Sequence, residues 1–267
     1  PLGVILAICP WNFPLAIPLW KAAPALAYGN AVIIKPASPA IATAALLHEC
    51  AEEALPAGVL GQLVMSGAQA GELLDDERIA AASFTGSTEV GLSVAERLAR
   101  RAAPAQAEMG GQNPAIVLAD ADLEAAADAI VSGAMSFAGQ KCTATRRVIV
   151  LEEVAETMDR LLAERIEALV VGDPANDGVT VGPLISSDAV EEFEQATAAA
   201  LEAGAGVVAR ASSDEGGHFV SPALFRQGDP RAAVHQGGAL GPLLTQTSLP
   251  AAAAALEAAK PVRFGRG

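Results

Sequence analysis

Apolar positions along the first hundred residues follow two rhythms: short runs rich in β-branched residues, and longer Ala- and Leu-rich stretches at helical spacing. Residues 3–8 read as a strand and 15–27 as a helix. Strand runs at 31–34, 60–65 and 79–84 alternate with helix patterns near 40–54 and 68–75. A further helix runs from Ser87 to about Arg101, with Ser87 or Thr88 as its N-cap. Repeated strand–helix–strand units imply an α/β fold built on a parallel, doubly wound, Rossmann-like sheet.

The alternation resumes in the second half. Residues 115–118 predict a strand, and Asp120-Ala-Asp-Leu-Glu124 predicts a capped, acid-rich start for a helix reaching about Phe137. A strand over 147–151 follows, then helices near 154–169 and 189–203, each with short apolar runs after it, and the alanine run at 251–255 reads as helix. A boundary near 108–111 divides the chain into a first α/β domain over 1–108 and a second over 109–267. No internal repeat is evident.

Composition narrows the classes of partner. The 267 residues are 52% hydrophobic, enough for one large core or two smaller ones. Lys and Arg total 17 against 31 Asp and Glu, a net charge of -14, which repels phosphate backbones over most of the surface. Nucleic acid is therefore not an expected partner, whereas an anionic cofactor needs only a local cradle of amides and a cation. Residues 1–20 carry no charge, but Pro10, Pro14 and Pro18 interrupt any spanning helix, so no membrane partner is expected. No basic stretch precedes the apolar run, which separates it from a secretory signal. Three widely spaced cysteines, Cys9, Cys50 and Cys142, lack metal-ligand spacing and suit a reducing, cytoplasmic compartment. His48, His218 and His235 have no neighbours suggesting a catalytic or metal role and are expected to be structural or surface groups. A start at Pro1 is expected of a piece of a longer protein.

Four motifs carry candidate chemistry. Cys142 lies in Phe137-Ala-Gly-Gln-Lys-Cys142-Thr, between a predicted helix and a predicted strand, where Lys141 could favour the thiolate. The ordinary role of a single cysteine is that of a small buried hydrophobe, which is the expectation for Cys9 and Cys50. Glu108, in Ala107-Glu-Met-Gly-Gly-Gln-Asn-Pro114, is either a base beside a glycine turn or a solvated surface carboxylate. In Cys9-Pro-Trp-Asn-Phe-Pro14, two prolines restrict the turn after the first strand and Asn12 offers an amide donor for an oxyanion. Phe84-Thr-Gly-Ser-Thr-Glu-Val-Gly91 passes from strand to helix N-terminus, either an ordinary capped helix or a phosphate seat.

Taken together, in this order and at this spacing from Pro1 to about Pro183, the motifs resemble the aldehyde dehydrogenase superfamily. The resemblance implies that Cys142 is the nucleophile, Glu108 the general base, and Asn12 with the Cys142 amide the oxyanion hole. It further implies that Lys35, in Ile33-Ile-Lys-Pro36, holds the adenosine ribose, that Gly86 and Ser87 meet the pyrophosphate, and that Trp11, Ser38 and Gly91 complete the cofactor set. The first domain would then bind the cofactor and the second would be catalytic. An aldehyde would be oxidised with NADP or NAD through a thioester on Cys142, and Glu108 argues for hydrolysis over transfer to coenzyme A. Ser38 stands where the family often has a glutamate that repels a 2'-phosphate, so NADP is expected to be accepted at least as well as NAD. Gly139-Gln-Lys-Cys-Thr-Ala-Thr145 is most similar to dehydrogenases of 2-oxoglutarate semialdehyde. Arg146 and Arg147 either bind a distal substrate carboxylate or, like most arginines beginning a strand, sit in solvent or in structural ion pairs.

The family pattern is broken at Gly237-Gly-Ala-Leu-Gly-Pro242, where family members carry Glu-x-Phe-Gly-Pro. Gly238 replaces the glutamate that holds the nicotinamide ribose, and Leu240 replaces the phenylalanine near the ring, so hydride geometry is affected. Family members form homo-oligomers and extend beyond both ends of this chain, with N-terminal strands and an oligomerisation hairpin. Two functional classes follow: an active oxidoreductase core, or a truncated fold retained as a binding or structural module.

Overall fold

Strand β1 (Val4–Ile8) is apolar at every position and buried from Ile5 to Ile8, as a parallel strand covered on both faces must be. The computed structural model describes residues 1–213, 216–229, 232 and 240–260. It divides into two units, Pro1–Met109 and Gly110–Gly267.

In the first unit β1 is followed by α1 (Ala16–Ala27), β2 (Ala31–Lys35), a 3-10 turn (Ser38–Ala40), α2 (Ile41–Ala54), β3 (Leu60–Gln62), α3 (Gly67–Leu74), β4 (Ile79–Gly86), α4 (Thr88–Ala99) and β5 (Ala105–Met109). All five strands are parallel in the order β3-β2-β1-β4-β5. Ile17 and Ala22 of α1, with Leu47 of α2, pack on Ile5, Ala7, Val32 and Ile34. Leu74 of α3 and Val94 and Leu98 of α4 pack on Leu6, Ile8, Ala82 and Phe84. Helices therefore cover both faces, and burial of a side chain such as Leu6 or Leu98 contributes about 2 kcal/mol. The winding reverses between β1 and β4, so their following loops leave toward opposite faces and open a crevice at the carboxyl ends of the strands.

One strand expectation is corrected in this unit, and one strand falls where none was expected. β3 stops at Gln62 and not at residue 65, consistent with its place on the sheet edge. β5 reads Ala-Gln-Ala-Glu-Met, with no β-branched residue, and is a strand because β4 templates it in the register Thr85↔Glu108.

The second unit runs β6 (Asn113–Val117), α5 (Leu123–Met135), a 3-10 segment (Ser136–Gly139), β7 (Thr145–Leu151), α6 (Glu152–Glu167), α7 (Ser187–Glu202), β8 (Gly206–Arg210), β9 (Ala223–Arg226), β10 (Leu243–Leu249) and α8 (Ala252–Ala259). Asp122, not Asp120, caps α5 by accepting from the Ala125 amide at 3.1 Å. The sheet order is β6-β7-β10-β9-β8, with β8 antiparallel on the edge. Its central strand β10 buries the polar run Thr245, Gln246 and Thr247. That burial is tolerated because each side chain donates a bond: Thr245 to the Arg146 carbonyl, Gln246 to the Asp159 carboxylate and Thr247 to the Gln227 carbonyl.

Among the described residues no helix is long and apolar enough to cross a membrane, and no group of His, Cys, Asp and Glu could hold a metal ion.

Candidate active site

The carboxyl ends of β1, β2, β4 and β5 gather the residues singled out in the first unit. Ile8 is in register with both Lys35 and Phe84, and the Cys9 amide donates to the Lys35 carbonyl at 3.0 Å. Trp11 and Asn12, both half-buried, occupy the bend between β1 and α1. Lys35 ends β2 half-buried, and burial holds its ammonium below the usual lysine range, with Cys9 acting weakly in the opposite sense. Ser38 is exposed at the start of the 3-10 turn that follows.

Across the switch point, Ser87 is the N-cap of α4 and accepts from the Val90 amide at 3.5 Å. The first amides of α4 lack intrahelical acceptors and present the positive end of the helix at the crevice. Phe84 lies beneath this turn: a Cβ at Gly86 would stand 2.6 Å from its ring, and one at Gly91 would stand 2.7 Å from Met109 and 3.1 Å from the same ring. Gly86 and Gly91 thus allow the helix start to settle close over the strand, which is what an anion seat of backbone amides requires. The half-buried cation at Lys35 and the exposed helix start fit a dinucleotide on chemical grounds.

Glu108 lies in β5 opposite Thr85 and is half-buried, not a fully solvated carboxylate. Gln106, two residues earlier, shares its sheet face. The Lys21 ammonium donates to the Ser83 hydroxyl at 2.8 Å, and that hydroxyl donates to Gln106 Oε1 at 2.9 Å, so a polar line crosses the sheet face that carries Glu108. Cys9 is sealed under the same face at 3% exposure, and burial pushes its thiol up to about 11 against the pull of Lys21 and Lys35. It is the buried hydrophobe expected. Cys50, by contrast, is exposed on α2, because it falls on the solvent side of that helix.

In the second unit Cys142 is half-buried between the 3-10 segment and β7. The approach to it is unusual backbone: Phe137 (φ 57°), Ala138 (φ 52°) and Gly139 (φ 67°) are consecutively left-handed. Two non-glycine residues in this region cost on the order of 1–3 kcal/mol each, so neighbours must hold the loop. Asn113, at the start of β6, donates through Nδ2 to the carbonyls of Cys142 at 2.7 Å and Ala144 at 3.0 Å. Gln140 donates to the carbonyls of Phe137 and Pro183 at 3.1 and 3.3 Å and accepts from the Ile185 amide at 2.9 Å. Lys141 turns to the Ser136 hydroxyl at 2.6 Å, and burial, then Arg146, hold its ammonium below the usual range.

Neither arginine is arranged as expected. Arg146 and Arg147 are 7% and 2% exposed, and both donate to backbone carbonyls. Arg146 holds Gly139 and Gly241, while Arg147 holds Gln112 at 3.2 Å and the end of α8 at Ala258 and Ala259 at 3.1 and 2.9 Å. They are buried staples, which corrects both the solvent and the ion-pair expectations. Asn113 had no role by motif; the polar Gln-Asn pair directly after two glycines was the available signal. Leu240 is half-buried, and Gly237, Gly238 and His235 lie outside the described residues.

A switch-point crevice with a cation and a helix N-terminus, followed in the chain by an α/β unit bearing a pinned cysteine loop, defines a two-unit α/β protein with a doubly wound first sheet. The chain matches the aldehyde dehydrogenase family over residues 1–267 and belongs to it. It is 39% identical over 272 residues to the alpha-ketoglutaric semialdehyde dehydrogenase of Bacillus subtilis (strain 168), a match covering 99% of this chain and 56% of that protein. Among solved structures it is similar to an NADP-dependent enzyme from E. coli (TM-score 0.95, 36% identity, 99% of this chain and 56% of that one). It is also similar to an NAD-dependent aldehyde dehydrogenase from Sinorhizobium meliloti (TM-score 0.94, 32% identity, 99% and 54%). The chain thus spans about half the length of the relatives it matches.

Proposed function

We propose that the chain carries the cofactor-binding and catalytic core of an NAD(P)-dependent aldehyde dehydrogenase that forms a thioester on Cys142. The observation that carries this reading is the cysteine loop, whose strained backbone is held by Asn113 and Gln140 around a half-buried thiol. Strain maintained by surrounding side chains is typical of functional sites.

When bound, a nicotinamide dinucleotide supplies the hydride acceptor; Lys35, Ser38, Gly86, Ser87, Gly91 and Trp11 would hold it. The Cys142 thiolate adds to the aldehyde carbon, and the oxygen that gains charge is stabilised by the Asn12 amide and the Cys142 backbone N–H. Once the adduct has become a thioester, the Glu108 carboxylate takes a proton from water, which attacks the acyl carbon and releases the acid and the thiol. The 2-oxoglutarate semialdehyde class is the favoured substrate, supported by the named activity of the Bacillus subtilis relative. With Arg146 and Arg147 committed to carbonyls, a distal substrate carboxylate would have to be met by other groups. A cytoplasmic location is proposed, and homo-oligomers are expected of the full-length members of the family.

Appearance of reduced nicotinamide, followed by ultraviolet absorbance with a panel of semialdehydes and aliphatic aldehydes and each cofactor, tests the proposal. Turnover that vanishes in Cys142→Ala supports it. Cofactor binding without turnover would favour the second reading, a binding module impaired by Gly238 and Leu240.

A further inference from the structure

A guanidinium sealed from solvent ordinarily sits against a carboxylate, because an unpaired buried cation is costly. Arg146 breaks this pattern. It is 7% exposed, and among the described residues no carboxylate pairs with it. Its two terminal nitrogens go to the carbonyls of Gly139 and Gly241, which are far apart in the chain. Burial alone pulls its pKa down to about 10, so it remains a cation at neutral pH.

The two carbonyls explain the need for that charge. Gly139 is the last of the three left-handed residues before Cys142, and a side chain on it would collide with the Gly241 carbonyl. Gly241 is confined from its other side, where a Cβ would run into the Phe193 ring. The Gly241 carbonyl also accepts from the Leu243 amide at 2.9 Å at the entrance to β10. Two backbone segments therefore meet where neither tolerates a side chain, and one guanidinium satisfies a carbonyl from each. A planar fork of donors can bridge two acceptors at fixed geometry, which an ammonium cannot.

We propose that Arg146 is a positioning residue that clamps the Cys142 loop to the Leu240-Gly241-Pro242 stretch, so that the two segments open and close as one piece. Its consequence for turnover rests on Cys142 being the nucleophile; the clamp itself does not.

The test compares wild type with Arg146→Met, which keeps the stem, and Arg146→Lys, which keeps the charge. Amide hydrogen exchange by mass spectrometry on the whole chain is read beside kcat and KM. In Arg146→Met, exchange in peptides covering 137–145 and 240–244 rises together by about tenfold or more, while β1 and the centre of β7 are unchanged. At the same time kcat falls by about tenfold or more with KM for the aldehyde within about threefold, and Arg146→Lys is intermediate. Exchange that rises in only one of the two segments, rises uniformly through the unit, or does not change overturns the clamp. If Arg146→Met fails to fold, Arg146→Lys carries the same exchange comparison. If wild type shows no turnover, the nucleophile reading fails while the exchange pattern still decides the clamp.

Discussion

The side-chain amide of Asn113 donates at 2.7 Å to the carbonyl of Cys142, 29 residues further along the chain. A second bond from the same nitrogen reaches the Ala144 carbonyl at 3.0 Å, so one residue at the start of β6 fixes the backbone at the cysteine and just after it. Because Asn113 is 8% exposed, water cannot replace these bonds when the amide is removed. Asn113→Ala is expected to cost about 2 kcal/mol of stability and to lower kcat by tenfold or more, measured by urea unfolding and steady-state kinetics. A variant with wild-type kcat would show that these two bonds do not serve the thiol.

Gly139 combines a left-handed φ of 67° with direct apposition to the Gly241 carbonyl. Gly139→Ala therefore meets both backbone strain and a collision that neither segment can relieve cheaply. A loss of about 3 kcal/mol or more in unfolding free energy is expected. By contrast Gly110→Ala, where a Cβ would meet nothing, is expected to be nearly neutral.

Cys9 gives a pH dependence whose sign follows from burial. Its thiol has an ordinary value of 9.0 and is pushed up to about 11 in the fold. The folded state therefore holds the proton more tightly, and this contribution is fully present below pH 9 and lost as the pH rises toward 11. Wild type should lose about 2 kcal/mol more than Cys9→Ala across that window in urea titrations. Parallel pH profiles for the two proteins would contradict it.

Ser38 bears on cofactor choice. It is exposed just beyond Lys35, and a carboxylate there would repel a 2'-phosphate. NADP is expected to be used at least as well as NAD, and Ser38→Glu to lower kcat/KM for NADP by about tenfold or more while sparing NAD. A wild-type preference for NAD above about tenfold, or roughly 1.4 kcal/mol, would refute the first part.

Much of the first unit was legible because its central strands are apolar on both faces: Val4–Ile8, Ala31–Lys35 and Ile79–Gly86 announce themselves. What escaped had physical reasons. β5 has no strand propensity of its own and borrows its conformation from β4. β10, the middle of the second sheet, was not predicted, because it buries the polar run Thr245, Gln246 and Thr247, whose burial depends on partners remote in sequence. The candidate site divides the same way. Cys142, Glu108, Asn12 and Lys35 were singled out by motif, whereas Asn113 was given no role and Arg146 was expected at a substrate carboxylate, in solvent or in an ion pair, not as a holder of the cysteine loop. Asn113 and Arg146 act through carbonyls, and no side-chain pattern records a carbonyl's position.

The proposed thioester is a covalent acyl group on Cys142 that Glu108 helps to release. Intact-mass and peptide mass spectrometry of Glu108→Gln, after mixing with a semialdehyde and NADP, detects that group. This variant is expected to accumulate an acyl adduct on the Cys142 peptide that wild type does not retain and that Cys142→Ala cannot form. An unmodified Cys142 in a Glu108→Gln protein that still binds cofactor, or turnover undiminished by that substitution, would contradict it.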